Sequence, residues 1–382
     1  MPPRSKPVNT HTLIVGAGPI GLELAVNLRH HDVPLVHLEA QQVGHTVSWY
    51  PKQTRYFSSP QRIAIAGVPL NNPDQTKATR EQYLSYLHNI VQQFDLRVQT
   101  FEPVTQLRPL PDPAPPTESS DAPRFAVTTP RAVYHAQNVV LAIGDMHQPR
   151  QLEIPGEDLP HVSHYFDEPQ RYFQQNLLIV GGKNSAVEAA LRCHHAGAHV
   201  AVSYRREQFD PDAIKYWLTP EINALIKHGQ IEFYPATVPT RITPHHVTLQ
   251  PAPGFQSAPG HNPAPGDDAD PNDADHARPV DHPADFVLLL TGYTQDKTLL
   301  RDVGLTLHGD NQAPHLDPQT MMTDLPGLYL AGTAAAGTQN HFSLYIENSH
   351  PHVAKITQHI TGQPAAPHLI NTAAQTYGLA ES

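Results

Sequence analysis

Four residues near the start of the chain have the types and spacing needed to hold two phosphates and a ribose. Gly16, Gly18 and Gly21 form the pattern GxGxxG, and the acid Glu39 follows them. Glycines at these positions permit a tight turn, close backbone approach to a pyrophosphate, and tight packing of a following helix. A carboxylate at Glu39 suits a ribose diol and disfavours a 2′-phosphate. The pattern therefore predicts a dinucleotide site for FAD or NAD.

The elements around this turn are a strand, a helix and a second strand. His11–Val15 is a short apolar run, Ile20–His30 has helical periodicity, and Pro34–Leu38 is a second apolar run. This β-α-β order points a helix N-terminus at the phosphates, where the helix dipole favours negative charge. We expect Pro19 and Ile20, at the start of that helix, to belong to the site.

A second unit of the same kind lies about 165 residues further along the chain, and this spacing suggests two nucleotide-binding subdomains. Its strands are Leu177–Val180 and Ala198–Ser203, and its helix is Ser185–Ala196. The predicted phosphate turn consists of Gly181, Gly182, Lys183, Asn184 and Ser185.

The charge of this second turn differs from that of the first. Lys183 stands where the second glycine of the pattern is expected, and the second strand runs into Arg205 and Arg206 instead of an acid. A guanidinium pair suits a 2′-phosphate, so we predict NADPH at this turn. The alternative is that the two arginines form a solvated basic turn.

Three later apolar runs also end at glycine. They lead into Gly144, into Gly292, and into Gly332 with Thr333. A glycine turn of this kind that leads into a helix places backbone N–H groups against a flavin and its pyrophosphate. We expect Gly144, Gly332 and Thr333 to contact FAD, and Gly292 to contact NADPH.

The sequence contains no motif that identifies a catalytic acid or base, and flavin chemistry requires positioning more than a protein nucleophile. The candidates for proton delivery flank the last predicted helix and are His341, Glu347 and His350. The aromatic residues Trp49, Tyr50 and Tyr56 either wall the flavin or pack in the core.

Composition excludes several classes of protein. The formal net charge is −11, which argues against nucleic acid as the main partner. The single cysteine, Cys193, excludes an internal disulfide, a CxxC pair and a multi-cysteine zinc site. The 26 histidines often lie in adjacent pairs, whose geometry does not suit a shared ion, so we predict no metal. With no apolar run long enough to span a membrane, we expect a cytoplasmic enzyme.

Proline is concentrated in two stretches, 109–123 and 251–283. Neither has the apolar content needed for a core, so both are predicted to be flexible insertions. The second precedes the run Phe286–Leu290 and is interpreted as a long hairpin loop.

Several motifs together resemble flavoproteins of the thioredoxin-reductase-like class, and more closely the bacillithiol-disulfide reductase (bacilliredoxin reductase) family. In chain order these motifs are GAGPIGLELA from Gly16, WYPKQTRYFSSP at 49–60, HVSHYFDEP at 161–169, VGGKNSAVEAAL at 180–191, YWLTPEINALIKHG at 216–229, TGYTQD at 291–296 and IENSH at 346–350. The resemblance implies an NADPH-dependent FAD oxidoreductase that passes a hydride through the flavin to a disulfide or other small acceptor. It implies a small-molecule or thiol-protein acceptor, and a homo-oligomer is compatible with it.

The same resemblance implies an α/β fold with two Rossmann-like subdomains, the NADPH domain being inserted into a split FAD domain. We expect FAD-binding segments at 10–150 and 285–382, and the NADPH-binding domain at 151–284.

One position departs from the family: Ile20 stands where the bacillithiol enzymes carry a cysteine. Two alternatives stay open. A flavin monooxygenase is suggested by Gly156 and His161, although four residues separate them where the monooxygenase fingerprint has three. A non-catalytic flavin-binding redox sensor is the other, but such a sensor has no need of Arg205 and Arg206.

Overall fold

The chain forms two compact α/β units. The computed structural model describes residues 6–111, 122–253 and 279–373. The first unit lies within Met1–Gln148 and Tyr293–Ser382, and the second within Pro149–Gly292.

The elements are numbered in chain order. Up to the second unit they are β1 (Val8–Val15), α1 (Pro19–His30), β2 (Leu35–Leu38), α2 (His45–Ser48), α3 (Pro60–Ile63), α4 (Arg80–Gln93), β3 (Val98–Gln99), β4 (Gln106–Pro109), β5 (Phe125–Thr128), β6 (Val133–Leu141) and β7 (Gln148–Pro149). The second unit contains β8 (Val162–Ser163), β9 (Asn176–Val180), α5 (Asn184–His195), β10 (His199–Tyr204), α6 (Thr219–Lys227), β11 (Glu232–Pro235), β12 (Thr237–Ile242), β13 (His246–Pro251), β14 (Val280–Pro283) and β15 (Phe286–Leu289). The chain then continues with β16 (Tyr293–Thr294), α7 (Thr298–Asp302), β17 (Leu307–His308), β18 (Ala313–Pro314), β19 (Leu328–Leu330) and α8 (Ile346–Thr361).

The sheet of the first unit has the order β3-β2-β1-β6-β5-β4, with β19 beside the carboxyl-terminal part of β6. The strands β3, β2, β1, β6 and β19 are parallel, whereas β4, β5 and the start of β6 form an antiparallel meander. The parallel strands are short apolar runs because helices cover this part of the sheet. Helix α1 is buried from Ile20 to Leu28 and contacts both α4 and α8.

The sheet of the second unit has the order β11-β10-β9-β15-β8, and all of its pairs are parallel. Helix α5 packs on this sheet through a face that includes Ala186, Ala190 and Cys193. A separate three-stranded antiparallel sheet has the order β12-β13-β14.

The predicted β-α-β elements are present in both units, with ends that differ from the prediction by at most three residues. The predicted domain boundary at 284/285 is wrong, because β15 pairs with β9 inside the second unit. An apolar run after a long insertion does not reveal which sheet it joins.

The predicted insertion at 251–283 is also too long at both ends. Pro251 ends β13, and Val280–Pro283 forms β14 as its antiparallel partner. His282 in β14 is buried and contacts the Tyr234 hydroxyl at 3.1 Å. The hairpin interpretation agrees with this pairing, but residues 254–278 lie outside the described part of the chain, as do 112–121 of the first insertion.

Candidate functional site

The carboxyl ends of four parallel strands meet at one edge of the first unit's sheet. Val15 is in register with Leu38 of β2 and with Leu141 of β6, and Leu141 is in register with Leu330 of β19. The turns after these strands therefore lie side by side. Ligands of open α/β sheets bind at this edge, where the strand order reverses.

The glycines after β1 are of two kinds. A side chain at Gly16 or Gly21 would clash with the backbone, whereas a side chain at Gly18 would point into open space. Gly16 has φ +105°, and a Cβ there would lie 2.4 Å from the Ala142 carbonyl oxygen. A Cβ on Gly21 would lie 2.1 Å from the Gly16 carbonyl oxygen, so α1 packs directly on the turn. Gly18 has no atom of the described chain within 4 Å of that position, so it faces open space.

Helix α1 offers its first turn to a ligand. Gly18 is its N-cap, Pro19 opens the helix, and no side chain in the described ranges caps it. The first backbone N–H groups of a helix have no partner within the helix, and they favour an anion. Ile20 is buried, and its side chain lies 3.3 Å from the Cβ position of Gly332, which has φ +70°.

Glu39 lies beside this turn at the end of β2. Its Oε2 accepts a hydrogen bond from the Ala17 N–H at 2.7 Å, and its Oε1 accepts one from the Gln41 N–H at 2.9 Å. The side chain is half-buried, and a carboxylate has acceptor sites beyond these two hydrogen bonds, which a ribose diol could use.

His37, one residue before the end of β2, was missed by the sequence reasoning. Burial lowers its pKa to about 4, against the opposing effect of a hydrogen bond to Gly16, so the ring is neutral. Its Nε2–H donates to the Gly16 carbonyl oxygen at 2.9 Å and fixes the first peptide of the turn. A polar residue at an otherwise buried strand end was the available signal.

The turns after β6 and β19 form the other side of the site. Gly144 has φ +72°, and its Cβ position lies 3.8 Å from the Thr333 hydroxyl oxygen. Asp145, also missed by the sequence reasoning, accepts hydrogen bonds from Thr333 and from the Gln339 amide nitrogen, the latter at 2.9 Å. Burial raises the pKa of its carboxyl group, although these hydrogen bonds oppose the shift.

The three aromatic candidates, Trp49, Tyr50 and Tyr56, differ in their surroundings. The rings of Trp49 and Tyr293 stack at 6.4 Å with an angle of 26°, and both residues keep part of their surface exposed. Burial, with the nearby Asp145 and Tyr293, raises the pKa of Tyr50 to about 12. Tyr56 is a core residue, buried with its ring 4.7 Å from that of Tyr83.

The second unit repeats the turn with different constraints. Gly181 has φ +146°, and a Cβ there would lie 2.5 Å from the Leu290 carbonyl oxygen. A Cβ on Gly182 would lie 2.3 Å from the Tyr204 ring, so this glycine leaves room for that ring. Lys183 is the N-cap of α5 in extended conformation, which explains why the turn accepts a lysine there.

Four cations lie close together at this turn. The pKa of Lys183 is lowered by partial burial and by the charges of Arg205, Arg206 and Arg150, with Asp210 opposing them. Arg206 reaches Asp210 at 3.5 Å, and both arginines after β10 are exposed. This excess of positive charge beside a helix N-terminus suits an anionic ligand with several phosphates.

The remaining residues predicted for the NADPH site are Asn184, Ser185 and Gly292. The Asn184 amide oxygen accepts a hydrogen bond from the Lys215 N–H at 3.2 Å, whereas Ser185 is exposed. Gly292 has φ +98° and no atom of the described chain within 4 Å of its Cβ position.

Two of the proton-delivery candidates belong to a buried ionic cluster. Glu347 is buried, with its carboxylate 3.8 Å from the Arg62 guanidinium. His350 contacts the Glu23 carboxylate at 2.7 Å and the Arg62 carbonyl oxygen at 3.0 Å. These contacts are those of interior ion-pair residues, and a part for either residue in proton delivery stays a prediction. His341 is exposed, and its role stays a prediction.

The approximate monooxygenase fingerprint has a structural explanation in the second unit. Gly156 has φ +89°, and a Cβ there would lie 2.0 Å from the Ile242 carbonyl oxygen. The His161 ring contacts the Thr243 carbonyl oxygen at 3.1 Å. Both residues are thus engaged by the antiparallel sheet.

Comparison with known proteins agrees with this geometry. The profile of the pyridine nucleotide-disulphide oxidoreductase family matches residues 13–252. The chain is 29% identical over 353 residues to the bacilliredoxin reductase of Bacillus subtilis (strain 168), covering 92% of this chain and 98% of that protein. These findings confirm the predicted resemblance.

Solved structures extend the comparison to the fold. Bacillithiol disulfide reductase from Staphylococcus aureus superposes with a TM-score of 0.79 at 29% identity, over 93% of this chain and 99% of that one. T. acidophilum thioredoxin reductase superposes with a TM-score of 0.65 at 16% identity, over 93% and 98% of the two chains. These similarities confirm the predicted fold class. Among residues 6–111, 122–253 and 279–373, no helix is long and apolar enough to cross a membrane.

Proposed function

Because the chain belongs to the pyridine nucleotide-disulphide oxidoreductase family, we propose that it carries electrons from NADPH through FAD to a disulfide. The protein is an oxidoreductase that uses these two cofactors.

The assignment of cofactors rests on one observation: the two turns occupy the same place in a β-α-β unit but have opposite charge at the second strand. The first unit has Glu39 there, which suits an unphosphorylated ribose and therefore FAD. The second has Arg205 and Arg206 beside Lys183, which suit a 2′-phosphate and therefore NADPH.

The residues of the first unit fit FAD well. The open face at Gly18 and the uncapped turn of α1 receive the pyrophosphate, and Glu39 orients the adenosine ribose. When bound, FAD supplies the ring that accepts a hydride and returns electrons. The protein contributes position, exclusion of water and charge.

The disulfide acceptor is proposed from the relatives, which are named bacilliredoxin reductase and bacillithiol disulfide reductase. Ile20 restricts how this acceptor can be reduced. Since this residue has no thiol, and Cys193 is buried in the second unit's core, the acceptor is reduced without a mixed disulfide to the enzyme.

The test is NADPH oxidation with a panel of acceptors: bacillithiol disulfide, glutathione disulfide, a thioredoxin-like protein disulfide, a quinone and oxygen. We expect a disulfide to accelerate oxidation well above the rate in air and to release thiol. An oxygenated product would indicate the monooxygenase, and failure of NADPH to reduce the bound flavin would indicate the sensor. Turnover of quinone or oxygen alone would contradict the disulfide acceptor.

The matched variant is Ile20→Cys, which places a thiol at the position where the resembling family carries one. A cysteine is smaller than the isoleucine that it replaces, so it needs no additional space beside Gly332. Under our proposal the disulfide rate of the parent is already substantial, and the variant changes it little. A parent that is inactive on every disulfide, with activity appearing in Ile20→Cys, would show that this chain uses another acceptor.

A further inference from the structure

A third arginine, Arg150, lies at the phosphate turn of the second unit, and no role has yet been assigned to it. Its side chain is half-buried. Its charge helps to lower the pKa of Lys183, after partial burial and the charges of Arg205 and Arg206, with Asp210 opposing them. The Arg150 guanidinium is therefore close enough to the first turn of α5 to act on an anion bound there.

The backbone of Arg150 is fixed beside the segment that follows β15. The Arg150 N–H donates to the Gly292 carbonyl oxygen at 2.9 Å, and the Thr291 hydroxyl group donates to the Arg150 carbonyl oxygen at 3.1 Å. The same segment borders the phosphate turn, because a Cβ on Gly181 would lie 2.5 Å from the Leu290 carbonyl oxygen. Both hydrogen bonds of Arg150 use its backbone, so a substitution of the side chain leaves this anchor in place.

The arginines of the turn therefore come from opposite sides of β9. The strand order is β10-β9-β15, with Arg205 and Arg206 directly after β10 and Arg150 beside the segment after β15. A dinucleotide with its 2′-phosphate at the arginine pair crosses the end of β9 with its pyrophosphate and continues toward β15 with its nicotinamide half. Open space is available on that side, because no atom of the described chain lies within 4 Å of the Cβ position of Gly292.

We propose that Arg150 binds the pyrophosphate of NADPH, at the phosphate that carries the nicotinamide ribose. A guanidinium offers two parallel N–H donors that match two phosphate oxygens, and it stays charged at any working pH. Arg150 then adds affinity for every nicotinamide dinucleotide, whereas Arg205 and Arg206 add affinity only where a 2′-phosphate is present. This inference rests on the proposed placement of NADPH in the second unit.

The experiment compares four ligands that differ in their phosphates. NADPH carries a 2′-phosphate and a pyrophosphate, and NADH lacks the 2′-phosphate. The third ligand, 2′,5′-ADP, lacks the second phosphate of the pyrophosphate and the nicotinamide half. The fourth, 2′-phospho-ADP-ribose, has all the phosphates of NADPH and lacks only the nicotinamide ring. Affinities for the two reduced coenzymes come from the concentration dependence of anaerobic flavin reduction, and those for the other two from competition with NADPH.

Arg150→Gln should bind NADPH, NADH and 2′-phospho-ADP-ribose about ten- to a hundredfold more weakly, as expected for lost charged hydrogen bonds. Its affinity for 2′,5′-ADP should stay near the parent value, because that ligand has no phosphate on the nicotinamide side. Arg150→Lys keeps the charge without the paired donors and should recover part of the loss. Arg241→Gln, at an exposed arginine on β12, is the matched control and should change none of the four affinities. Flavin content and a thermal melt verify that each variant is folded.

An Arg150→Gln protein with the parent's affinities for NADPH and NADH would overturn the inference. An equal loss for 2′,5′-ADP would also overturn it, by placing Arg150 at the adenosine half, and an unchanged affinity for 2′-phospho-ADP-ribose would do so by placing Arg150 at the nicotinamide ring. Failure of the proposed function has a different signature: NADPH would not reduce the flavin of the parent, or replacement of Arg205 and Arg206 would weaken NADPH and NADH equally.

Discussion

At the residue scale, Gly18 is a position where we expect a substitution to weaken ligand binding without destabilising the fold. A side chain at Gly18 would meet no atom of the described chain within 4 Å, whereas one at Gly21 would meet the Gly16 carbonyl oxygen at 2.1 Å. We therefore expect Gly18→Val to fold with near-native thermal stability and to purify almost without flavin. Flavin absorbance per mole of protein and a thermal melt provide the measurement.

The control for this prediction is Gly21→Ala, which should lose stability as well as flavin because α1 can no longer pack on the turn. Full FAD occupancy in Gly18→Val would show that the pyrophosphate binds elsewhere.

We expect Arg205 and Arg206 to carry the preference for a phosphorylated cofactor. Losing charged hydrogen bonds of this kind costs roughly 1.5–3 kcal/mol, or about ten- to a hundredfold in affinity. The double alanine variant should lose that much NADPH affinity while NADH affinity stays near the parent value. Arg241→Ala, an exposed arginine on β12, is the control and should change neither. Equal losses for NADPH and NADH would reject a 2′-phosphate contact at this pair.

The glycine turns, Glu39 and the arginine pair could be located from the sequence because each lies in or beside a local strand–turn–helix pattern, and their contacts with the cofactors stay predictions. Asp145, His37 and the Glu23–His350 pair could not, because their partners come from other strands or from hundreds of residues away. The Asp145–Gln339 hydrogen bond joins residues 194 positions apart, and no spacing rule connects them.

At the element scale, the packing of α1 against α8 contains a buried histidine–glutamate pair. His350 Nδ1 contacts the Glu23 carboxylate, and its Nε2 contacts the Arg62 carbonyl oxygen. Both neighbours offer acceptor oxygens, so these contacts favour the doubly protonated, charged form of the ring. Glu23 also accepts the backbone N–H groups of Ala66 and Asn371, which fastens two further segments to α1.

This pair makes stability depend on pH. Burial lowers the pKa of His350, but the charge and hydrogen bond of Glu23 outweigh it and raise the pKa above the ordinary 6.5. A raised folded-state pKa gives a stabilisation that is complete below about pH 6.5 and is lost as the pH rises through the folded value. We expect the free energy of unfolding to decline across that alkaline window.

The control is His350→Gln, measured by denaturant unfolding at a series of pH values. The variant should be less stable at low pH and should show a flatter profile in the same window. Burial lowers the pKa values of His37 and His352 to about 4. These two histidines therefore stay neutral in the alkaline window and do not contribute to the change in stability with pH. Identical slopes in parent and variant would mean that His350 does not titrate as described.

At the scale of the whole molecule, the route of electrons is limited by the chain's supply of thiols. The sequence contains one cysteine, Cys193, and it lies on α5 in the core of the second unit. Burial raises the pKa of this thiol to about 12, with Arg192 opposing the shift, so the reactive thiolate is scarce at neutral pH. With Ile20 in the first turn, the protein has no dithiol through which to relay electrons, and hydride transfer from NADPH to flavin requires none.

We therefore expect Cys193→Ala to reduce its flavin with NADPH at a near-native rate, measured by anaerobic stopped-flow bleaching. Alanine is the suitable replacement because a serine hydroxyl would be buried without an assured partner. Alkylating reagents should leave the native parent active, although they modify Cys193 once the protein is denatured. If the variant bleaches many-fold more slowly, or if a disulfide substrate becomes trapped on Cys193, the thiol takes part in the reaction. In that case the acceptor would be reduced through the second unit rather than directly from the flavin.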